Sequence, residues 1–409
     1  MHGTTKQKIK RKLFNIVKSN VPYRYNLKPK AIISPDKVAE KYKDNGAEYK
    51  LVLENHLTEL PIDKGFFSKV ASYTIYDEYE DTSPNEINIH YKTNYEVVKI
   101  PGGRIYSNNI DYISAMTSNN ELVDRVSYQF NRDKRTTSED NKILHQRYFT
   151  KPEYIDGTVF SMLAGYGATN NIAHWFFDSI PRIHLLKKSG LFDEIDYFLV
   201  PAFDIDYQKD SLNLLGIPDE KIIAGKEDTH IIAKNLVISS HPRGDRSFLL
   251  PLWISEFLRT SYLSDSVKDS SSPKRIFVSR KDSKLRQMIN EDELVKILEK
   301  YGFETVLLSK YPLLEKIKLF HNAETIISSS GAGLTSLFFC KKNSNVVEIF
   351  PEGFVFTHYY NIAYHAGMNY YPMICKSDNP AQDMVAGQLE DIKVDLDEMQ
   401  SILDKIFKQ

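Results

Sequence analysis

A glycine-containing segment lies where a buried strand passes into the next element of the chain. Residues 328–335 read SSSGAGLT, between the apolar runs AETII and SLFFC. Glycine inside a regular element costs about 0.5–1 kcal/mol relative to alanine, so a pair of glycines here needs a reason. A strand-to-helix turn in a parallel α/β sheet presents backbone N–H groups and the positive end of a helix dipole to an anion. The predicted phosphate site comprises Ser330, Gly331, Ala332, Gly333, Leu334 and Thr335. The alternative is a packing turn that needs small residues, because the spacing is neither GxGxxG nor that of a P-loop.

Two nearby segments favour the phosphate interpretation. Glu348 lies at the end of the apolar strand VVEIFP (346–351), where a carboxylate can accept hydrogen bonds from ribose hydroxyls. The loop SRKDSKLR (279–286) places Arg280, Lys281 and Arg286 after another strand, and these cations can neutralise a diphosphate. The alternatives are a surface glutamate and a solvated basic loop.

A second candidate group lies in NNIAHWFFDSIPRIHLL (170–186), where we predict a helix from about Asn171 to Lys188. His174 and Asp178 are four residues apart and therefore share one helix face. Asp178 is the first choice as a general base, because a carboxylate at a cleft surface is ionised at pH 7. His174 is the second choice, as base or as the residue that orients an acceptor. The alternatives are a core histidine beside an aromatic run and a carboxylate that complements the helix dipole.

The elements around these residues predict an α/β protein. From residue 158 onward, apolar runs alternate with amphipathic segments, which indicates parallel sheets. Residues 87–100 and other short alternating runs indicate strands in the first part of the chain. We predict an N-terminal domain over residues 1–250, with an extension (1–155) and a Rossmann-like part (156–250). A Rossmann-like domain over residues 251–409 follows.

Composition narrows the class of protein. The chain has 409 residues, of which 53 are Lys or Arg and 54 are Asp or Glu, so bulk charge gives no sign of nucleic-acid binding. Its two cysteines indicate a reducing compartment without a thiolate metal site. No metal-ligand cluster stands out, and Asp204 and Asp206 are interpreted as a helix start rather than a manganese site. We predict a cytoplasmic protein. Its basic, amphipathic residues 1–20 have two interpretations, a solvated terminal helix and a peripheral contact with an anionic membrane surface.

These segments resemble the glycosyltransferase 61 family, the DUF563-type enzymes. The resemblance is carried by VSRKDSKLRQMINEDELVKILEKYGFE, LLEKIKLFHNAETIISSSGAGLTSLFFC and NVVEIFP in the C-terminal part. Upstream, Asn171, His174 and Asp178 look like that family's Asn-x-x-His-x-x-x-Asp segment. Together the resemblance covers roughly residues 158–372. Family members commonly have His-Gly-Ala-Gly-Leu at the glycine turn, whereas this chain has Ser330 at the first position.

The resemblance implies a GT-B architecture, in which two Rossmann-like domains face each other across a cleft. It also implies inverting, metal-independent transfer from a nucleotide sugar, with uridine diphosphate as the carrier and no further cofactor. The C-terminal domain would hold the donor, and Asn171 would lie on the acceptor side of the cleft. The acceptor would be a glycan or lipid-linked glycan, as in bacterial members that act in capsule or lipopolysaccharide synthesis.

Two other functions are compatible with the sequence. A nucleotide-sugar epimerase or hydrolase of the same architecture needs a donor but no acceptor. A non-catalytic glycan-binding partner of a polysaccharide assembly complex would bind a glycan and catalyse no reaction. The joint presence of Asp178, Glu348 and the basic loop favours an enzyme over the binding partner.

Overall fold

The structure is a computed structural model of the chain. It describes residues 27–69, 79–109, 111–130, 135–136, 138–165, 167–244, 249–268, 271–283, 285–377, 381 and 384–408, together with Leu13 and Ile16. The segment 1–20, interpreted as a solvated terminal helix or a membrane contact, lies outside the described residues apart from those two positions.

Strands and helices alternate through most of the described chain. The strands are β1 Ala31–Ile33, β2 Glu48–Asp63, β3 Tyr79–Asp81, β4 Glu86–Pro101, β5 Arg104–Ser107, β6 Tyr112–Met116, β7 Glu121–Val123, β8 Tyr128–Phe130, β9 Arg135–Thr136, β10 Glu153–Ser161, β11 Tyr197–Val200, β12 Ile222–Ala224, β13 Thr229–Ser239, β14 Arg275–Val278, β15 Glu304–Val306, β16 Thr325–Ser329, β17 Asn345–Pro351 and β18 Asn369–Cys375. The α-helices are α1 Pro35–Lys41, α2 Lys64–Phe67, α3 Ile172–His174, α4 Arg182–Ser189, α5 Asp206–Leu214, α6 Leu252–Tyr262, α7 Glu291–Lys300, α8 Leu313–Asn322, α9 His358–Ala366, α10 Met384–Gly387 and α11 Leu396–Phe407. A π-helical turn covers Trp175–Ser179, and 3-10 helices cover Lys43–Asn45, Ser138–Asp140, Lys142–His145, Phe192–Glu194, Asp219–Lys221, Asp265–Val267, Leu308–Lys310 and Ala332–Phe339.

The chain forms two compact units, and the first comprises Met1–His56, Thr93–Phe203 and Pro218–Ser247. Its strands follow the order β1-β7-β6-β5-β13-β10-β11-β12. The last four, β13, β10, β11 and β12, run parallel to one another, while β4 and β5 pair with β13 in the antiparallel direction. Parallel neighbours end at the same edge of a sheet, so the segments that follow β10 and β13 start from one edge.

The second unit comprises Leu57–Lys92, Asp204–Ile217 and Phe248–Gln409. Five parallel strands form its sheet in the order β15-β14-β16-β17-β18. This is the doubly wound order in which ligands bind outside the carboxyl ends of the strands, where the strand order reverses. Here that switch point lies between β14 and β16, which end just before Ser279 and Ser330.

The two faces of β17 are covered by different elements. Val347 and Ile349 pack against residues of α7 and α11 on one face. Phe350 packs on the other face against a core that includes Leu60 and Phe66, from β2 and α2. Because side chains alternate along a strand, Glu348 shares the face of Phe350.

The predicted α/β class is confirmed, and the GT-B arrangement of two facing domains remains a prediction. The helix expected near 171–188 is divided into α3, the π-helical turn and α4, with Pro181 before α4. A 3-10 helix, not an α-helix, follows the glycine turn. Residues 57–92 and 204–217, which the sequence assigned to the N-terminal domain, group with the second unit. Apolar packing of 57–92 on β17 and β18 accounts for the first of these differences.

Within the described residues, no helix combines the length and apolar character that crossing a membrane requires.

Candidate functional site

His174 and Asp178 follow the carboxyl end of β10, on a helix that contains the π-helical turn. Asn171 caps this helix, because its side-chain oxygen accepts a backbone N–H at 2.9 Å. The N–H of Ile180 donates to the Trp175 carbonyl at 3.0 Å, which is the five-residue spacing of a π-helix. Such turns occur frequently at functional sites. His174 Nδ1 lies 2.9 Å from Asp178 Oδ2, so the two predicted catalytic side chains contact each other.

Asp178 is buried, with 2% relative exposure. Arg243 donates to both of its oxygens, from Nε to Oδ1 at 2.7 Å and from Nη2 to Oδ2 at 2.8 Å. His241 Nε2 lies 3.5 Å from Oδ1. Burial acts to raise the pKa of Asp178, but Arg243, His174 and His241 hold it well below its ordinary value. The expectation of a carboxylate at a surface is therefore wrong, because this carboxylate is enclosed by its own donors.

The imidazole of His174 is the accessible half of the pair. Its side chain is 29% exposed, against 3% for the side chain of Asp178. An ionised carboxylate only accepts hydrogen bonds, so we assign the hydrogen to His174 Nδ1 and the basic lone pair to Nε2. This geometry favours His174 as the group that takes a proton, with Asp178 as the residue that orients it.

Gly167 leaves room for that imidazole. Its φ of +88° lies in the region that favours glycine. A Cβ at this position would overlap Cδ2 of His174. The connection between β10 and α3 therefore needs glycine for its backbone and for the ring that packs against it.

Gly331 is needed because the Arg280 guanidinium lies against it. A Cβ at Gly331 would overlap Arg280 Nη1, whereas its φ of 165° is extended backbone that any residue adopts. A Cβ at Gly333 would instead meet the Leu308 side chain at 3.0 Å. Gly331 thus admits a cation to the turn, while Gly333 packs against an apolar side chain.

The other predicted turn residues lie inside the turn. Ser330 and Leu334 are fully buried. Thr335 Oγ1 donates to the Ala332 carbonyl at 2.7 Å, which closes the first turn of the 3-10 helix. These side chains support the turn.

Arg280 and Arg286 bring two positive charges to the switch point of the second unit. Arg280 Nη2 donates to the Leu285 carbonyl at 3.0 Å, and Arg286 Nε donates to the Ser330 carbonyl at 3.1 Å. Burial lowers the pKa of both guanidinium groups, and for Arg286 the charge of Arg280 also acts, giving about 10. Within the described part of the chain, neither guanidinium makes an ion pair with a carboxylate. This pair of half-buried cations therefore favours an anionic ligand.

Lys281, the third cation of the predicted basic loop, forms an ion pair away from the glycine turn. Its Nζ donates to Asp292 Oδ1 at 2.6 Å, and the lysine side chain is 57% exposed. The structure therefore does not bring Lys281 to the glycine turn with the two arginines.

Glu348 is fully buried rather than open to a ribose. Its Oε2 accepts a hydrogen bond from the Tyr370 hydroxyl at 2.7 Å. Burial raises the pKa of Glu348 to about 8, while the hydroxyls of Ser330 and Tyr370 act in the opposite direction. The core around Phe66 covers this face of β17, which explains why a carboxyl at the strand end has no exposed surface.

Sequence reasoning missed Arg243, His241 and Gly167 in the first unit, and it assigned no electrostatic role to Tyr359 in the second. His241 and Arg243 directly follow β13, the parallel neighbour of β10, so their position after a strand was the available signal. Tyr359 lies on α9, and burial and Glu348 raise the pKa of its phenol while Arg286 and Arg280 lower it. The charges of this acid and of both cations therefore act on the phenol.

Among the residues that the structure describes, no group of three or more His, Cys, Asp or Glu side chains is placed to hold a metal ion.

Residues 172–347 match the family model described as Glycosyltransferase 61. The matched range contains the His174–Asp178 pair and the glycine turn, and it covers somewhat less than half of the chain. The search of curated proteins found no match. The family match supports the resemblance and, with it, glycosyl transfer as the class of activity.

Proposed function

We propose that this chain is an inverting, metal-independent glycosyltransferase of the bacterial surface-polysaccharide type. It moves a sugar from a nucleotide donor, with uridine diphosphate as the carrier, to a glycan acceptor. One observation carries the donor assignment: two half-buried arginines without a carboxylate partner in the described chain lie beside the glycine turn at the switch point of a parallel sheet.

The second unit supplies the charge that a departing diphosphate requires. When the anomeric carbon–oxygen bond breaks, negative charge develops on the phosphate oxygen that takes the electron pair. Arg280 and Arg286 can stabilise this charge, because their guanidinium groups are already partly desolvated and held by backbone carbonyls. The N-terminus of the 3-10 helix over Ala332–Phe339 adds a positive dipole.

The first unit supplies the base. An acceptor hydroxyl attacks the anomeric carbon on the face opposite the diphosphate, and its proton passes to Nε2 of His174. The resulting imidazolium is stabilised by Asp178, which holds Nδ1 at 2.9 Å. One carbon–oxygen bond forms as the other breaks, so the configuration at the anomeric carbon inverts.

A thermal-shift panel tests the donor assignment. The full chain is heated with UDP, ADP, GDP or inorganic phosphate, each in excess EDTA. We expect one nucleoside diphosphate at 100 times its dissociation constant to add about 2.7 kcal/mol of stability. Stabilisation that appears only when manganese replaces EDTA would refute metal independence. The absence of a shift with every nucleotide would favour a non-catalytic protein.

Gly331→Ala should weaken nucleoside diphosphate binding while leaving the fold intact. The new methyl group displaces the end of the flexible Arg280 side chain, and the extended backbone tolerates alanine. We expect a loss of about 1.5–3 kcal/mol, roughly 10- to 100-fold in affinity, as for a charge-assisted hydrogen bond. Isothermal titration calorimetry measures it. Gly333→Ala, which contacts Leu308, is the matched control and should bind normally; equal losses in both variants would contradict the role of Arg280.

A further inference from the structure

We propose that Glu348 enters the donor site as a protonated hydrogen-bond donor, so that the nucleoside diphosphate binds only the form in which Glu348 carries a proton. This inference rests on the donor site of the proposed function and deepens it by naming the group that makes binding depend on protonation.

Two buried polar atoms at the carboxyl ends of two adjacent strands carry the inference. They are Oε1 of Glu348 and Oγ of Ser330, and neither makes a hydrogen bond within the described residues, although the Ser330 hydroxyl is close enough to Glu348 to lower its pKa. β16 and β17 pair directly in parallel register, which places Ser328 beside Glu348, and Ser330 follows on the same face. Buried polar atoms are rarely left unpaired, and a ligand that accepts hydrogen bonds would satisfy both.

The surroundings of Glu348 favour the neutral carboxyl. From β18, the Tyr370 hydroxyl donates to Oε2 at 2.7 Å, which leaves Oε1 to carry the proton. From α9, the Tyr359 phenol interacts electrostatically with Glu348, and also with Arg280 and Arg286. Neither arginine makes an ion pair with Glu348 in the described part of the chain. A carboxylate fully buried without a cation partner pays its whole desolvation cost, and burial accordingly raises the pKa of Glu348 to about 8.

The protonation state decides whether an anion fits. Because Oε1 has no exposed surface, a phosphate oxygen reaches it only when the side chains that cover it move aside. A protonated carboxyl then donates a hydrogen bond to that oxygen, whereas an ionised one would place a second negative charge in a desolvated site. Above the pKa of the free protein, binding therefore takes up one proton from solvent, which goes to Oε1. This role differs from that of an ionised carboxylate that accepts hydrogen bonds from ribose hydroxyls.

Calorimetric titration at two pH values tests this role. The full chain and its Glu348→Gln variant are titrated with UDP, ADP and GDP at about pH 7 and about pH 9, where the phosphate groups are already ionised. Because the pKa of Glu348 is about 8, the protonated fraction falls about tenfold between these pH values, so we expect the wild-type dissociation constant to be about tenfold larger at the higher pH. Glu348→Gln keeps a neutral donor, so we expect its affinity to match the wild type within about twofold at pH 7 and to stay level at pH 9.

Controls separate this inference from the donor assignment. Glu352→Gln, the same change at an exposed position just after β17, should keep the wild-type pH dependence. Partial deprotonation of Arg286, whose pKa is about 10, would also weaken nucleotide binding at pH 9, but it would do so equally in the wild type, Glu348→Gln and Glu352→Gln. A wild-type affinity that is level with pH, together with a large loss in Glu348→Gln, would overturn the inference and leave the donor site in place. If no nucleotide binds any of these proteins, both the inference and the proposed function fail.

Discussion

His174→Ala lowers turnover by about 10²–10⁴, the usual contribution of general-base catalysis, because it removes the nitrogen that takes the acceptor proton. Nucleoside diphosphate affinity should be unchanged, since the proposed donor residues belong to the second unit. Turnover at saturating donor and acceptor, with calorimetry for binding, measures the two effects separately. His145→Ala, which removes an exposed histidine of the same unit, is the matched control and should keep full activity.

Added imidazole distinguishes a missing base from a damaged fold. The alanine variant leaves space where the ring was, so free imidazole should restore part of the turnover of His174→Ala. Asp178→Asn should also lose activity, because an amide can donate to Nδ1 and so favour the wrong tautomer, but imidazole should not restore it. If imidazole restores neither variant and Asp178→Asn has the deeper loss, the carboxylate is the base after all.

The fold of the C-terminal part could be predicted because the sequence patterns that specify its strands are local. The strands RIFV, TIISS and NVVEIFP are short apolar runs bounded by polar residues, and they correspond closely to β14, β16 and β17. The glycine turn was also readable, because glycine beside a strand end has few explanations. The side chain that contacts this turn could not be predicted, since only the structure shows that Arg280 fills the space beside Gly331.

The first unit shows where local reasoning fails. Asp178 follows an aromatic run, and nothing in residues 170–186 reveals that Arg243, sixty-five residues later, closes over it. Burial of a charge depends on which distant segments meet, and here they meet because β10 and β13 pair in parallel. Glu348 is a similar case, since the residues that cover it come from 57–92, far away in the chain.

Arg243→Met should destabilise the first unit by about 3–5 kcal/mol, because it leaves the Asp178 carboxylate buried without its main counter-charge. Methionine keeps much of the apolar volume that packs over Phe177. In a Trp253→Phe background, Trp175 is the single remaining tryptophan and lies beside the site. Its fluorescence in urea therefore reports unfolding of the first unit alone.

The pH dependence of this loss follows from the sign of the Asp178 shift. In the wild type, contacts that outweigh burial hold the pKa of Asp178 below its ordinary value, so the stability they give is present at neutral pH and lost as pH falls through the folded pKa. In Arg243→Met the carboxyl can protonate more readily. The difference between the two proteins should therefore be largest near neutral pH and shrink as pH falls toward about 4.

A double variant isolates the charge from the packing. Asp178→Asn combined with Arg243→Met removes both ionised groups, so it should be less destabilised at neutral pH than Arg243→Met alone. The expected coupling energy exceeds about 1 kcal/mol, as for contacting residues in one network. Additive losses, or a single-variant loss below about 1 kcal/mol at pH 7, would show that Asp178 is solvated and would return it to the role of an accessible base. A confirmed coupling would mean that Asp178 acts through His174, because a carboxylate that Arg243 must neutralise for the unit to fold is not available to take a proton from a sugar.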